Sequence, residues 1–522
     1  MKLPEYLKMT DHFRFYPSSD EITIPWNARY SFPSQANKAV KITPRIPPKN
    51  GATFLPGQTI RLEFPAQGYV NTANLTFEMD VRITPNNGTL VGTSEAYIRF
   101  QNNIQSIFTR VRLLYGSTPL EDIVNYNVIA RMLTEWTSSS GVVADQTSVA
   151  DGIGGINSLS NVDVSTRNSI HGYHTVGTSA FFTPNSTLTR RYQFTLALGL
   201  TTQGKLLPTK FMASQLAIEL TCAKETDCLI AVGRAGTSTT DLVLNPTYQV
   251  SNVNMIPEIL EFDASYDNMF LKGLQEGGVP IKFSSWHTYQ FSHPGGSTAN
   301  ILIQERSRSV KSIYTVLRRQ TSTFNNDAGA LFQNLEVGQQ LESFQYRIGG
   351  RYFPASPVQV STNSYDIGSA EAFIELEKAL HTVGDSRLST NVSMLNWGPR
   401  YVVPTGVSVY RPSTTSEADY STVTSAANSL DVVTAGYYAS VLLSSGVPSV
   451  YTPSACFCMA TCLETTSGME ISGLNAEEQS DISLNIKWSG PAPAAGVFVI
   501  ETYVFYDAMI VLRENNVLEL IQ

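Results

Sequence analysis

The sequence predicts an all-β fold: two tandem eight-stranded antiparallel jelly-roll β-sandwiches, each with a short helix and a long loop. Three observations lead there. Apolar and polar residues alternate with period two in run after run, as in Thr59–Phe64 and Asn74–Ile83. Turn residues such as Pro85-Asn86-Asn87-Gly88 separate the runs. The order of strands, helix and loop then repeats after about half of the 522 residues.

The individual elements follow in order. Residues 1–56 hold Pro4, Pro17, Pro25, Pro33, Pro44, Pro47, Pro48 and Pro56, which excludes a helix or a central strand. Apolar anchors (Phe13, Phe15, Tyr16, Ile22, Ile24, Trp26 and Phe32) make this segment an extended arm laid over a surface. The first sandwich is expected over 57–256. In TIRLEF, Ile60, Leu62 and Phe64 share one face; in NLTFEMDVRI, Leu75, Phe77, Met79, Val81 and Ile83 do. Such one-sided alternation marks antiparallel sheets, because both faces of a parallel sheet are buried. Strands follow at 96–100 and 109–115. Ile123, Tyr126, Ala130 and Leu133 carry helical spacing, and a polar loop runs from about 137 to 185. RYQFTLAL and SQLAIELTC resume the strands.

The second sandwich is expected over 257–522. A helix from Ser265 to Gln275 stops on Gly277 and Gly278. Strands follow at VPIKFSSW, ANILIQE, SIYTVLRR and SFQYRIGGRYF. A helix starting on Ser369 sets Phe373, Leu376 and Leu380 on one stripe. A small-residue loop spans about 403–450. FCMATCLE, DISLNIKW and VFVIETYVFYDAMIVL end the chain. Ile123 corresponds to Ser369 and Leu216 to Ile482. Eight antiparallel strands per half, packed as two sheets, are the jelly-roll solution.

Composition narrows the function. Charged residues are 15% of the chain, well below the usual quarter, which suits a surface consumed by subunit contacts. The net charge is −8, against the basic face that phosphate-gripping proteins need, so no sequence-specific nucleic-acid binding is expected. The short basic clusters Arg306, Arg308, Lys311 and Arg318, Arg319 read as solvated strand faces. No stretch of apolar residues is long enough to span a membrane as a helix. The N-terminus has no apolar signal core.

A search for chemistry assigns no catalytic, cofactor-binding or metal-binding residue. There is no G-x-S-x-G elbow and no phosphate loop; DGIGGIN has Asn157 where a dinucleotide fingerprint needs Gly. Cys222, Cys228, Cys456, Cys458 and Cys462 are odd in number and read as small buried hydrophobes. His171 and His174 lack a third ligand nearby, and His287 and His293 read as packing or hydrogen-bonding groups. Glu258, Glu261, Asp263 and Asp267 cluster at the junction of the halves, where helix caps and solvated charge are expected. A non-enzymatic protein follows, with no cofactor.

LPGQTIRLEF, LLYGSTPLED, KLLPTK and GLQEGGVPIKFSSWHTYQF, in this order, resemble double jelly-roll major capsid proteins. That lineage comprises tailless phages, adenoviruses, large algal viruses, virophages and polinton-like viruses. ILIQERSRSVKSIYTVLRR and ISGLNAEEQSDISLNIKW with FVIETYVFYDAMIVL are most similar to virophage and polinton-like members. The resemblance spans residues 55–522. It implies a homotrimeric, pseudo-hexagonal capsomer in the icosahedral shell of a DNA virus, made in the infected host cell and located in the virion. Implied partners are neighbouring capsomers, minor capsid and penton proteins, and a host-surface receptor met by the long loops. The alternative reading is a carbohydrate-binding or adhesive β-sandwich protein, since aromatic faces on strands also stack on sugars.

Overall fold

In the computed structural model, eight strands carry each half. The structure describes residues 39–85, 95–139, 150–151, 173–176, 189–234, 245–319, 333, 335, 341–360, 370–383, 390, 392, 397, 409–412, 420–423, 430–432, 439–442, 448–451, 456–464, 472–477, 482–489, 495, 498–513 and 518–522. The roll of the first half comprises β1 (Ala39–Ile42), β2 (Thr59–Glu63), β3 (Tyr69–Pro85), β4 (Phe108–Tyr115), β5 (Thr118–Val124), β6 (Thr189–Phe194), β7 (Leu216–Cys222) and β8 (Pro246–Phe262). Beside it the short strand Thr53–Phe54 pairs with β8, and Glu95–Phe100, Tyr173–Val176 and Leu229–Arg234 form a separate three-stranded sheet. The second comprises β9 (Val279–Ser292), β10 (Thr298–Ile303), β11 (Val310–Arg319), β12 (Leu341–Ile348), β13 (Arg351–Gln359), β14 (Met459–Cys462), β15 (Ile482–Trp488) and β16 (Phe498–Leu512).

The winding is the same in both. The first half orders β1-β8-β3-β6 in one sheet and β2-β7-β4-β5 in the other. The second orders β9-β16-β11-β14 and β10-β15-β12-β13. In each, the first strand pairs the eighth, the second the seventh, the third the sixth and the fourth the fifth, all antiparallel. A long antiparallel ribbon rolled across two sheets gives this set of pairs, which is the jelly roll. The chain is therefore a tandem double jelly roll.

Alternation builds the core. Ile60 and Leu62 of β2 are buried while Thr59, Arg61 and Glu63 are half-buried. In β10, Ala299, Ile301 and Ile303 are buried and their neighbours exposed. One contiguous apolar cluster runs through both rolls, from Phe77 and Leu220 to Leu484 and Ile500. Residues 39–42, within the segment read as an arm, form an exposed edge strand paired with Ile259–Phe262; residues 1–38 lie outside the described residues.

Helices occupy equivalent places. α1 (Tyr126–Thr137) follows β5, α2 (Ala264–Gln275) joins the rolls, and α3 (Ala370–Ala379) follows β13. α2 is capped by Asp263, whose carboxylate accepts from the Tyr266 N–H at 3.2 Å. It ends before Gly277 and Gly278, both at positive φ. Ser369, read as the cap of α3, lies outside the described residues. α3 buries Ala372, Glu375, Leu376 and Ala379, while Phe373 and Leu380 are only half-buried. The buried stripe is rotated from the one the large residues suggest, because two alanines allow close approach to the strands beneath. Between β13 and β14, the segment read as a loop carries five strands of three or four residues in two small sheets. Such short runs leave no alternation to detect.

Candidate functional site

A protein built from two complete sandwiches works as one body only if something fixes their relation. The candidate site is therefore the seam between the rolls. Glu121 is its centre. The β5 register brings this side chain to the roll boundary, where it is 2% exposed. Its carboxylate accepts the N–H groups of Gly199 and Leu200, both at 2.8 Å, and the Ser285 hydroxyl at 2.7 Å. Gly199 begins the helical turn Gly199–Thr202, so the Glu121 carboxyl group also caps the first N–H groups of this turn. Burial pushes the carboxyl up from its ordinary value, while these three donors pull it down.

Gly199 is required there. A Cβ at this position would lie 1.9 Å from the Ser284 carbonyl oxygen on β9, so the backbones of the two rolls touch. Just beyond Glu121, the Thr288 hydroxyl donates to the Val124 carbonyl at 3.0 Å. Asn125, at φ +51, donates its amide to the buried carboxylate of Glu501. Glu501 also accepts from Arg318 at 3.0 Å and from the Tyr503 hydroxyl at 2.8 Å. The sequence places Arg318 on a solvated strand face; in the fold it is 1% exposed and serves this carboxylate instead. Its neighbours on the strand gave no sign of a partner 183 residues away.

α1 lies across the seam. The Trp136 indole N–H donates to the Cys456 carbonyl at 2.9 Å, and its ring stacks on Tyr314 at 5.7 Å between centroids. Glu135 and Arg131, one helical turn apart, form a buried pair at 3.0 Å, and the Cys456 thiol donates to Glu135. Gln333 plugs the first roll: its N–H donates to Gln101 and its side-chain amide to the Asp227 carbonyl, both at 2.9 Å. The carboxylates of Glu121 and Glu501 are retained here with several donors each, the condition under which buried polar groups hold a geometry.

The residues singled out from the sequence are dispersed. Asp263 caps α2, and Asp267 accepts from the Tyr69 hydroxyl at 3.1 Å and pairs with Lys210. Glu258 pairs with Lys41 at 2.6 Å and accepts from Asn71 and Asn74; Lys41 and the two amides hold its carboxyl down at about 2. Glu261 accepts from Gln67. His287 sits 3.0 Å from Glu305, and His293 is buried against Trp488. Burial lowers the pKa of His293 and pushes the thiols of Cys228, Cys456 and Cys458 well up. His171, residues 152–157 of DGIGGIN and the His174 side chain lie outside the described residues. Glu121, Asn125, Glu135 and Glu501 were not singled out from the sequence, because nothing local distinguishes a carboxylate that will be buried between rolls.

Beside the seam lies an open cleft of about 510 Å³, walled by α1 and residues 197–205 and floored by β9, β11 and β16. Among the described residues, no group of three or more His, Cys, Asp or Glu could hold a metal ion. Nor is any helix among them long and apolar enough to cross a membrane.

The class that this architecture defines is the double jelly roll. No family model and no curated protein matches the sequence. Solved structures match by fold. A chain of the Sputnik virophage, determined by cryo-EM, superposes with a TM-score of 0.53 at 10% identity, over 95% of this chain and 91% of that one. The Faustovirus major capsid protein gives 0.47 at 10% identity, over 94% and 93%. The mavirus major capsid protein gives 0.43 at 9% identity, over 100% and 95%. At these identities the likeness is one of fold.

Proposed function

We propose that this chain is the major capsid protein of an icosahedral DNA virus, assembling as a homotrimer whose six rolls give a pseudo-hexagonal capsomer. The observation that carries this reading is one winding order executed twice in one chain, with the two copies locked by buried polar contacts. A rigid pair of similar but unequal rolls has two different flanks. Three such chains close a ring by a repeated flank-to-flank contact. The fold likeness to a Sputnik virophage chain supports the same reading, as does the low charged fraction of 15%.

The chemistry is that of assembly. Buried carboxylates at the seam are satisfied by fixed donors and serve position, so a non-enzymatic role fits them. The long loops read over about 137–185 and 403–450 are proposed to differ between rolls and to form the outer crown, where a host receptor would bind. The segment read as an arm, residues 1–56, is proposed to contact neighbouring capsomers, minor capsid proteins or penton proteins. The protein resides in the virion shell. Negative-stain images of the purified protein, or of particles containing it, test the proposal. Compact hexagonal outlines are expected; irregular single-lobed particles would contradict it.

A further inference from the structure

The cleft beside the seam has a charge that the rest of the chain does not predict. Three lysines line it: Lys205 from the first roll, Lys282 from β9 and Lys311 from β11. One carboxylate, Asp507, faces them. Asp507 already accepts the hydroxyls of Ser284 at 2.7 Å and Ser309 at 3.0 Å, and lies 3.7 Å from the Lys311 ammonium. Lys311 also lies 3.6 Å from Glu464 and 5.6 Å above the Phe505 ring. Lys205 is exposed and makes no ion pair among the described residues. Lys311 is thus shared between two carboxylates, and Lys205 of the first roll and Lys282 of the second bring two further positive charges to the cleft of a chain whose net charge is −8.

The walls strengthen the field. Trp286 and Phe505 stand directly opposite each other on β9 and β16, their rings 4.6 Å apart, and Leu133 and Leu198 close the other side. Apolar walls lower the effective dielectric, so attraction for an anion exceeds that of the same lysines on an open surface. A lysine binds phosphate or sulfate as a point charge and sets no strict angle. The volume lies within the range of small-ligand sites, on the order of 300–1,000 Å³.

We propose that the cleft binds a small polyanion, a compound carrying two or more phosphate or sulfate groups, and that the anion bridges the two rolls. Its binding stabilises the folded chain by mass action. The test is isothermal titration calorimetry on the full chain with two probes, tripolyphosphate and a trisulfated disaccharide, beside thermal melts. Saturable binding of one probe molecule per chain is expected for at least one probe, together with a raised melting temperature. Affinity should fall at least ten-fold in Lys205→Ala/Lys282→Ala and weaken with added sodium chloride. Lys205→Ala alone, at an exposed side chain, should weaken binding at least three-fold and decides the matter if the double variant does not fold. Binding by one probe only identifies the oxyanion. No saturable heat with either probe, or equal affinity in the variants, would overturn the proposal.

Discussion

The carboxylate of Glu121, on the fifth strand of the first roll, accepts the hydroxyl of Ser285, on the first strand of the second, at 2.7 Å. The same carboxylate holds the Gly199 and Leu200 N–H groups. One side chain thus ties a strand, a helical turn and the other roll together. Glu121→Ala strips three buried donors of their acceptor, and each unsatisfied group costs about 1–3 kcal/mol. We expect a loss of about 3 kcal/mol or more in denaturant unfolding. An unchanged midpoint would mean that water takes over the carboxylate's place.

The pH dependence of this contact has a definite sign. The folded pKa of Glu121 is raised, so its contribution is fullest below the ordinary value of 4.5 and is lost as pH rises through the folded value. Glu258 behaves oppositely. Lys41 first, then Asn71 and Asn74, hold it at about 2, so its contribution is present above 4.5 and is lost as pH falls toward 2. Lys41→Ala should move the Glu258 carboxyl midpoint upward from about 2, followed by carbon-13 resonance in glutamate-labelled protein. A midpoint that stays put would assign the shift to the two amides alone.

The backbone contact at Gly199 gives a paired test. Gly199→Ala drives a methyl group into the Ser284 carbonyl, whereas a Cβ at Gly204, five residues on, meets nothing within 4 Å. We expect Gly199→Ala to cost about 3 kcal/mol or more by overpacking, and Gly204→Ala to stay within about 0.5 kcal/mol. Thermal melts of the two variants beside the parent read the difference. Equal melting temperatures would show that the rolls separate without cost.

In α3, burial and not side-chain size sets the ranking. Leu376 is 1% exposed, and truncation of such a side chain costs about 2–5 kcal/mol. Phe373 is half-buried, its ring edge-on to Trp397 at 5.4 Å. Phe373→Ala should cost less than Leu376→Ala in the same denaturant series. The reverse order would mean that assembly buries Phe373 further.

These contrasts show which features local sequence carries. Ile60, Leu62, Ala299, Ile301 and Ile303 alternate cleanly because each strand has one dry face, and period two is a local property. The stop of α2 at Gly277 and Gly278 was equally legible, since positive φ favours glycine. The pairing of first strand with eighth and second with seventh was not, because strand partners stand up to 233 residues apart in the chain, as Val279 and Leu512 do. The seam carboxylates were invisible for the same reason. Glu121 and Glu501 look like any strand glutamate until the other roll supplies Ser285 and removes the water, or until Asn125 and Arg318 converge.

The central claim is that two locked rolls make a subunit whose flanks close a threefold ring. Size-exclusion chromatography with multi-angle light scattering tests it most directly. At micromolar concentration the purified chain should elute as one species of about three times 57.3 kDa. A stable species of 57.3 kDa across that concentration range would contradict the account.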